Sequence, residues 1–287
     1  MNNSSCGLHT LKDVEHNLHT LRKADPAGIL PNQKKFSDAL MMRYSILKDQ
    51  VKKEVQDKDG FALTGAVLLS SGMLDRLSDV ERMAAFESWF TDMLDHTVLY
   101  NEENSSGKWT DSYISSAWDK GAGHASADIE DRDLPLGDDD PVFSVGLATA
   151  AGMVTGMLLS RTWSEMEGIS DAVRQKAMRT VADGLQNKWS PEQITNGLLE
   201  DISKIGDRRS DMLARTETMR AAVRGATSTY RLNKITTLQI MAEWMTMQDA
   251  RVCSQCKGYE GHVYTLDQID AMLPAHTLCR CWIRIVS

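Results

Sequence analysis

The stretch Asp249-Ala250-Arg251-Val252-Cys253-Ser254-Gln255-Cys256-Lys257-Gly258, followed further on by Pro274-Ala275-His276-Thr277-Leu278-Cys279-Arg280-Cys281, gathers four of the chain's five cysteines into 29 residues. A Cys-x2-Cys pair on a tight turn presents two thiolates to one ion, and Gly258 lets the chain reverse behind it. His276, Cys279 and Cys281 arrive after 19 intervening residues. Cys253, Cys256, His276, Cys279 and Cys281 are therefore five candidates for the four places of a tetrahedral zinc site, and spacing alone leaves open which is spare. Cys279 and Cys281, two apart, fall on one side of an extended backbone. A buried free thiol explains a lone cysteine such as Cys6 better than it explains four together. Disulfides are disfavoured too, because the N-terminus lacks a basic region followed by an apolar one, so a reducing compartment is expected. A site filled by four protein ligands has no open position and is structural; here it would staple a module too small to fold on its own core. His262, between Gly261 and Val263, reads as an exposed turn residue and not as a ligand.

Composition frames the rest. The chain has 287 residues, 42% hydrophobic and 25% charged with six prolines, which excludes wholesale disorder and fibrous repeats. Few aromatics (6%) and many methionines (16) favour packed helices over β-sandwiches. A formal charge of −8 excludes a protein that coats nucleic acid in bulk, so any contact with DNA must come from a local basic patch. The expected fold is mainly α, with helical bundle regions and a small C-terminal α+β, zinc-stapled module. Four consecutive segments are expected: a helical region over 1–100, an acidic linker over 101–140, a helical core over 141–234, and the Cys/His-rich module over 235–287.

Helical periodicity places Leu8, Leu11, Leu18 and Leu21 on one helix ending at Asp25-Pro26, and Phe36, Leu40, Tyr44 and Leu47 on a second that starts after Pro31. Between 101 and 140 the pattern collapses into Ser, Gly and acids (Asp128, Glu130, Asp131, Asp133, Asp138, Asp139, Asp140), which reads as a linker with at most one anchoring turn at Tyr113, Ile114 and Trp118. Residues 141–160 carry no charge and are long enough to cross a bilayer, but Pro, Gly, Ser and Thr dilute them and no basic or aromatic flank marks their ends. A buried small-residue helix is the better reading, with Gly152 and Gly156 allowing close helix approach. Helices are expected over 142–168 and from Asp171 to Lys188. Ser190-Pro191-Glu192-Gln193 is a helix start, with Ser190 as N-cap and Gln193 three on.

The helix expected over 208–234 puts Met212, Met219, Val223, Ala226 and Tyr230 on a buried stripe. Beside it lie Arg209, Arg220, Arg224, Arg231 and Lys234, and over the window seven bases meet two acids. This is either a solvated face supported by pairs such as Glu217 with Arg220, or a surface for phosphates or an acidic partner. Arg215 falls near the buried stripe and must find a carboxylate there; Asp249 is the candidate, which would tie the helix to the terminal module.

Leu213-Ala214-Arg215-Thr216-Glu217-Thr218, then Glu243-Trp244-Met245-Thr246, Asp249-Ala250-Arg251-Val252-Cys253, Cys256, Gly261 and the closing His276-x2-Cys279-Arg280-Cys281 resemble the phage Mu F-like family of head morphogenesis, or minor head, proteins, in order and in spacing. The resemblance covers about residues 160–287. Arg215, Glu217, Trp244 and Asp249 are its structural motif residues. Thr277 stands where the family usually has proline, which makes that turn less rigid. The resemblance implies a head component of a tailed phage, present in several copies near the portal vertex of the virion and in the host cytoplasm during assembly. It implies association with portal and major capsid proteins, and help with head assembly or DNA delivery, with double-stranded DNA as a further partner through the basic helix.

No phosphate-binding loop, nucleophile elbow or His-Glu-x2-His helix is present in the sequence, so a non-enzymatic role is expected. The alternatives are a zinc-dependent nuclease or toxin-like domain using His276 with Glu217 or Asp249, and an ejected membrane-active protein resting on 141–160.

Overall fold

The computed structural model describes residues 25, 27–61, 63, 78–101, 107–132, 141–233 and 241–286, and within 141–148 the backbone only. The helix expected over 8–24, Cys6, Asp133, Asp138, Asp139, Asp140 and Lys234 lie outside the described residues.

Helix α1 (Leu30–Val51) buries Phe36, Leu40, Tyr44 and Leu47 completely, the stripe that the sequence periodicity predicts. It runs on into a π-helical turn, Lys52–Asp57. Helix α2 (Asp79–Thr97) starts in a capping box made by Ser78 and Glu81. Its last carbonyls are satisfied by Arg43 of α1, whose guanidinium donates to Thr97, Val98 and Tyr100 oxygens at 3.1, 3.3 and 3.0 Å.

Helix α3 (Asp111–Asp131) lies where a linker was expected. Ile114, Ala117, Gly121, Ala125 and Ile129 form its buried face, a stripe at helical spacing built mainly of small residues. One of the expected linker acids has two partners: Asp128 pairs with Arg132 at 2.9 Å and accepts from the Tyr230 hydroxyl at 3.0 Å. Helix α4 (Pro141–Gln186) is continuous where two helices were expected. No proline or cap interrupts it at 168–171, Ile169 and Ser170 are buried, and Asp171 pairs with Arg174 one turn on instead of opening a new helix. No helix among the described residues is long and apolar enough to cross a membrane. Helix α5 (Pro191–Ile202) has the capping box read from the sequence, with Ser190 and Gln193 exchanging hydrogen bonds and Pro191 in the first turn. A π-helical turn, Ser203–Asp207, joins it to α6 (Arg208–Leu232).

Beyond α6 the chain forms the small α+β module that the sequence predicts. Strand β1 (Met241–Met245) is central, flanked by β2 (Val263–Thr265) and β3 (Trp282–Val286) in an antiparallel sheet of order β2-β1-β3. Helices α7 (Ser254–Tyr259) and α8 (Leu266–Met272) fill the connections. Register pairs Ala242 with Ile285 and Trp244 with Ile283, so these apolar residues share one sheet face.

Two compact units arise, and they cut across the consecutive segments read from the sequence. One comprises the described residues of Met1–Asn32, Ile114–Thr155 and Thr218–Ser287; the other comprises those of Gln33–Tyr113 and Gly156–Glu217. In the first unit Ala125 and Ile129 of α3, Met219, Val223, Ala226 and Tyr230 of α6, and Trp244, Ile283 and Ile285 of the sheet share one core. Met212, placed on the same stripe by the sequence, is only half-buried. Here α3 and α6 approach to backbone contact: a Cβ on Gly121 would sit 1.8 Å from the Ala222 oxygen, and one on Gly225 would sit 2.2 Å from the Trp118 oxygen. In the second unit, Gly184 of α4 makes room for Ile194 of α5, and Gly197 for Thr180.

Gly121→Ala is therefore expected to force α3 from α6 and to cost at least about 1–3 kcal/mol, as overpacking does. Exposed Gly123, with nothing within 4 Å of its added Cβ, is the control. Gly123→Ala should stabilise by about 0.5–1 kcal/mol through helix propensity. Urea denaturation of both variants measures this; equal midpoints would refute the close crossing.

Candidate metal centre

Cys253 caps α7, its sulfur accepting from the Cys256 backbone N–H at 3.4 Å. This knuckle turns the two thiols of the Cys-x2-Cys pair toward one side. The chain reverses at Gly261 (φ +75°) and not at Gly258, which lies within α7. The Gly261 N–H donates to the Trp244 oxygen and the Trp244 N–H to the His262 oxygen, which pins the knuckle to β1. The His262 residue is exposed, as its turn position predicts. The second half of the cluster comes from the loop between α8 and β3, where the Cys279 N–H donates to the His276 carbonyl at 3.1 Å.

All five candidates converge, in two triads that share Cys256. Cys253, Cys256 and His276 form one, and Cys256, Cys279 and Cys281 the other, each with ligand atoms within 4.8 Å of one another. His276 Nε2 lies 3.2 Å from the sulfurs of both Cys253 and Cys256, and the Cys256 and Cys279 sulfurs are 3.9 Å apart. Zinc–ligand lengths in a tetrahedron give edges of about 3.8 Å between sulfurs and about 3.6 Å from sulfur to nitrogen. The sulfur–sulfur spacing is close to that edge and the sulfur–nitrogen spacings are somewhat shorter, and each triad could hold a metal ion. His276 Nδ1 sits 2.7 Å from the Thr277 carbonyl oxygen, so Nδ1 carries the proton and the Nε2 lone pair faces the thiols.

The local electrostatics favour anionic sulfur at two positions. The Cys256 N–H draws the Cys253 thiol below its usual range. The Cys281 thiol, the Cys281 N–H and the Ala275 N–H together bring Cys279 down to about 5. Burial pushes Cys256 up to about 12, and its bond to Cys279 together with burial pushes Cys281 far up. Burial opposes charge on His276, but the Thr277 carbonyl and the neighbouring sulfurs raise it overall.

Around the cluster, Asp249 takes a bidentate bond from Arg280 at 2.7 and 2.8 Å, which holds its carboxyl well below the usual carboxylate range. The pair links the segment before Cys253 to the segment between Cys279 and Cys281. Arg215, expected to reach Asp249, is exposed and pairs with Asp211 at 3.1 Å, because Arg280 already fills the carboxylate. Glu217 is buried and accepts from Arg161 at 3.3 Å. His276 Nε2 lies against two thiols. Trp244 is fully buried, its ring 4.9 Å from that of Tyr259.

Two members of the basic stripe belong to this module. Arg224 and Arg231 both bond the Asp270 carboxylate of α8 at 2.8 Å, Thr227 donates to its other oxygen at 2.8 Å, and Arg231 also reaches Asp267 at 2.7 Å. They are thus occupied inside the protein and do not form an open phosphate-binding face. Arg209 is exposed, Arg220 is half-buried, and Lys234 lies outside the described residues. Sequence reading missed Asp270. The signal was there: Asp267 and Asp270, one helical turn apart behind the Thr265/Gln268 capping box, complement arginines two turns apart on α6.

A helical protein closed by a Cys/His-clamped antiparallel sheet is the class these features define. Residues 171–284 match the family described as Phage Mu protein F like protein. The match suggests a phage head morphogenesis protein. No curated protein and no solved structure matches the chain.

Asp270→Ala should cost about 1.5–3 kcal/mol, since it removes the carboxylate that Arg224, Arg231 and Thr227 share while Arg231 keeps Asp267. Hydrogen exchange of α8 and β1 reads this directly, and unchanged protection would contradict the anchoring role. Metal affinity of the cluster should fall as pH falls, because sulfur and imidazole must shed protons to bind. A chromogenic chelator should therefore register faster metal release at pH 5 than at pH 8; equal rates would count against Cys/His ligation.

Proposed function

We propose that this protein is a structural, non-enzymatic minor head protein of a tailed bacteriophage, carried in the virion near the portal vertex and contacting portal and major capsid proteins during head assembly. The reading rests on one observation above the others. The part of the chain that matches the phage family is also the part whose Cys/His residues converge, which supports reading them as a clamp. A four-ligand zinc site has no position left for a substrate, and the acids that would serve a hydrolase are tied to Arg280 and Arg161. The ion would be zinc, joining the α7 knuckle to the loop before β3, so its contribution is folding energy. A role in double-stranded DNA contact draws less support, since Arg224 and Arg231 are engaged by Asp270.

The test is quantitative mass spectrometry of purified phage particles, with metal analysis of the purified chain. A few to about a dozen copies per head is the expectation, in keeping with the ring symmetry of a portal vertex. Absence from particles would remove the assignment.

A further inference from the structure

The five donors divide in a way that one ion does not explain. The ligand atoms around a single tetrahedral zinc lie mutually within about 4 Å. Among the described residues, no four ligand atoms from Cys, His, Asp or Glu lie even within 4.8 Å of one another. What the fold assembles is two groups of three joined at one corner. His276 Nε2 is 3.2 Å from the sulfurs of both Cys253 and Cys256, while the Cys256 sulfur is 3.9 Å from that of Cys279, and Cys281 completes the second group. Cys256 stands at the corner because it lies inside α7, where Cys253 caps the helix and the last loop brings Cys279 and Cys281 against it. The groups also differ in burial: Cys253 and His276 are half-buried, whereas Cys256, Cys279 and Cys281 belong to the core. Metal-bound cysteines are thiolates, so the full set carries four negative charges. One divalent ion held by three or four of these thiolates leaves net negative charge against an apolar core, which is costly, and two divalent ions cancel it. Arg280 does not supply the balance, since Asp249 already matches it.

We propose that the cluster holds two zinc-type ions bridged by the Cys256 thiolate, with Cys253, Cys256 and His276 on one and Cys256, Cys279 and Cys281 on the other. The inference rests on the metal-centre reading above and goes beyond it: a single ion with a spare donor becomes two ions with none. Thiolate and imidazole both suit zinc, and a thiolate sulfur has lone pairs for two ions. A cleft lined by Cys253, Cys256, His276 and Cys281 touches both groups, so solvent can complete the coordination of each ion. Such water is not set up for hydrolysis, because Asp249, the acid of this segment, is engaged by Arg280. Two ions fasten the last loop to α7 twice, once through His276 and once through the Cys-x-Cys pair, and both fastenings depend on Cys256.

The experiment counts metal in the zinc-loaded full chain and in His276→Ala, Cys281→Ala and Cys256→Ala, with X-ray absorption at the zinc edge and NMR of the chain loaded with cadmium-113. Wild-type protein should hold two ions, and its two cadmium signals should be split by coupling through the shared sulfur. His276→Ala and Cys281→Ala should each keep one ion. The ion left in His276→Ala should have sulfur as its only protein ligand, and the one left in Cys281→Ala should have sulfur and nitrogen. Cys256→Ala, which removes the shared donor, should retain neither ion tightly. One ion per chain with four protein ligands would overturn the proposal and leave the metal centre standing. Two uncoupled cadmium signals, or two ions still held by Cys281→Ala, would overturn the bridge. A wild-type chain that takes up no zinc would remove the centre itself. The wild-type count and the cadmium coupling decide the matter even if a variant does not fold.

Discussion

A sheet of three short strands cannot bury a core against itself, and that constraint shapes the C-terminal part of this chain. Strands of five, three and five residues leave most of one face without a partner. The face is covered by α6 and α3, which are held together closely enough that two glycines replace side chains at their crossing. Asp270 then fixes the azimuth. One carboxylate bonds two arginines and a threonine of α6, so the module is docked by a geometry that apolar contact alone would not specify. The buried cysteines of the cluster belong to that same core and bring the knuckle and the last loop together around Cys256.

How much of this could be read from the sequence follows from how strongly each element announces itself. The apolar stripe of α1 and the capping box at Ser190 are local signals, and both appear in the structure where the residues place them. The α+β character of the tail was legible from its short alternating runs. Helix α3 was not, because its buried face is made of Ala and Gly between two isoleucines, and serines and acids cover the rest. Small residues give almost no hydrophobic periodicity, yet they are what a close helix crossing requires. The unbroken α4 was missed for a related reason: Gly168 and Asp171 look like an end and a start, but no cap forms there and the neighbouring Ile169 and Ser170 are buried.

At the site itself the ligand types were legible and their partners were not. Five converging Cys/His side chains follow from clustering in sequence, which survives folding. Ion-pair partners do not: Asp249 was paired with Arg215 on a helical wheel, and folding gave it Arg280, 31 residues on. Charge counts mislead in the same way. The surplus of bases on α6 looks like a surface for phosphate until Asp267 and Asp270, lying in another segment, are brought against it.

The bond from Arg132 to the Ile285 carbonyl, 2.6 Å long and 153 residues apart in sequence, has a consequence for the order of events during folding. It joins the residue just past α3 to the outer strand of the sheet, and Tyr230 with Asp128 makes a similar bridge over 102 residues. Contacts this distant are late and slow relative to helix formation, because the chain must lose loop entropy before they return anything. The helices can therefore form first and meet second, with the sheet sealing onto them last. A sulfur cluster at the end of that sequence would meet its ion when the scaffold is already built, and binding would then lock a docking step in place instead of nucleating it.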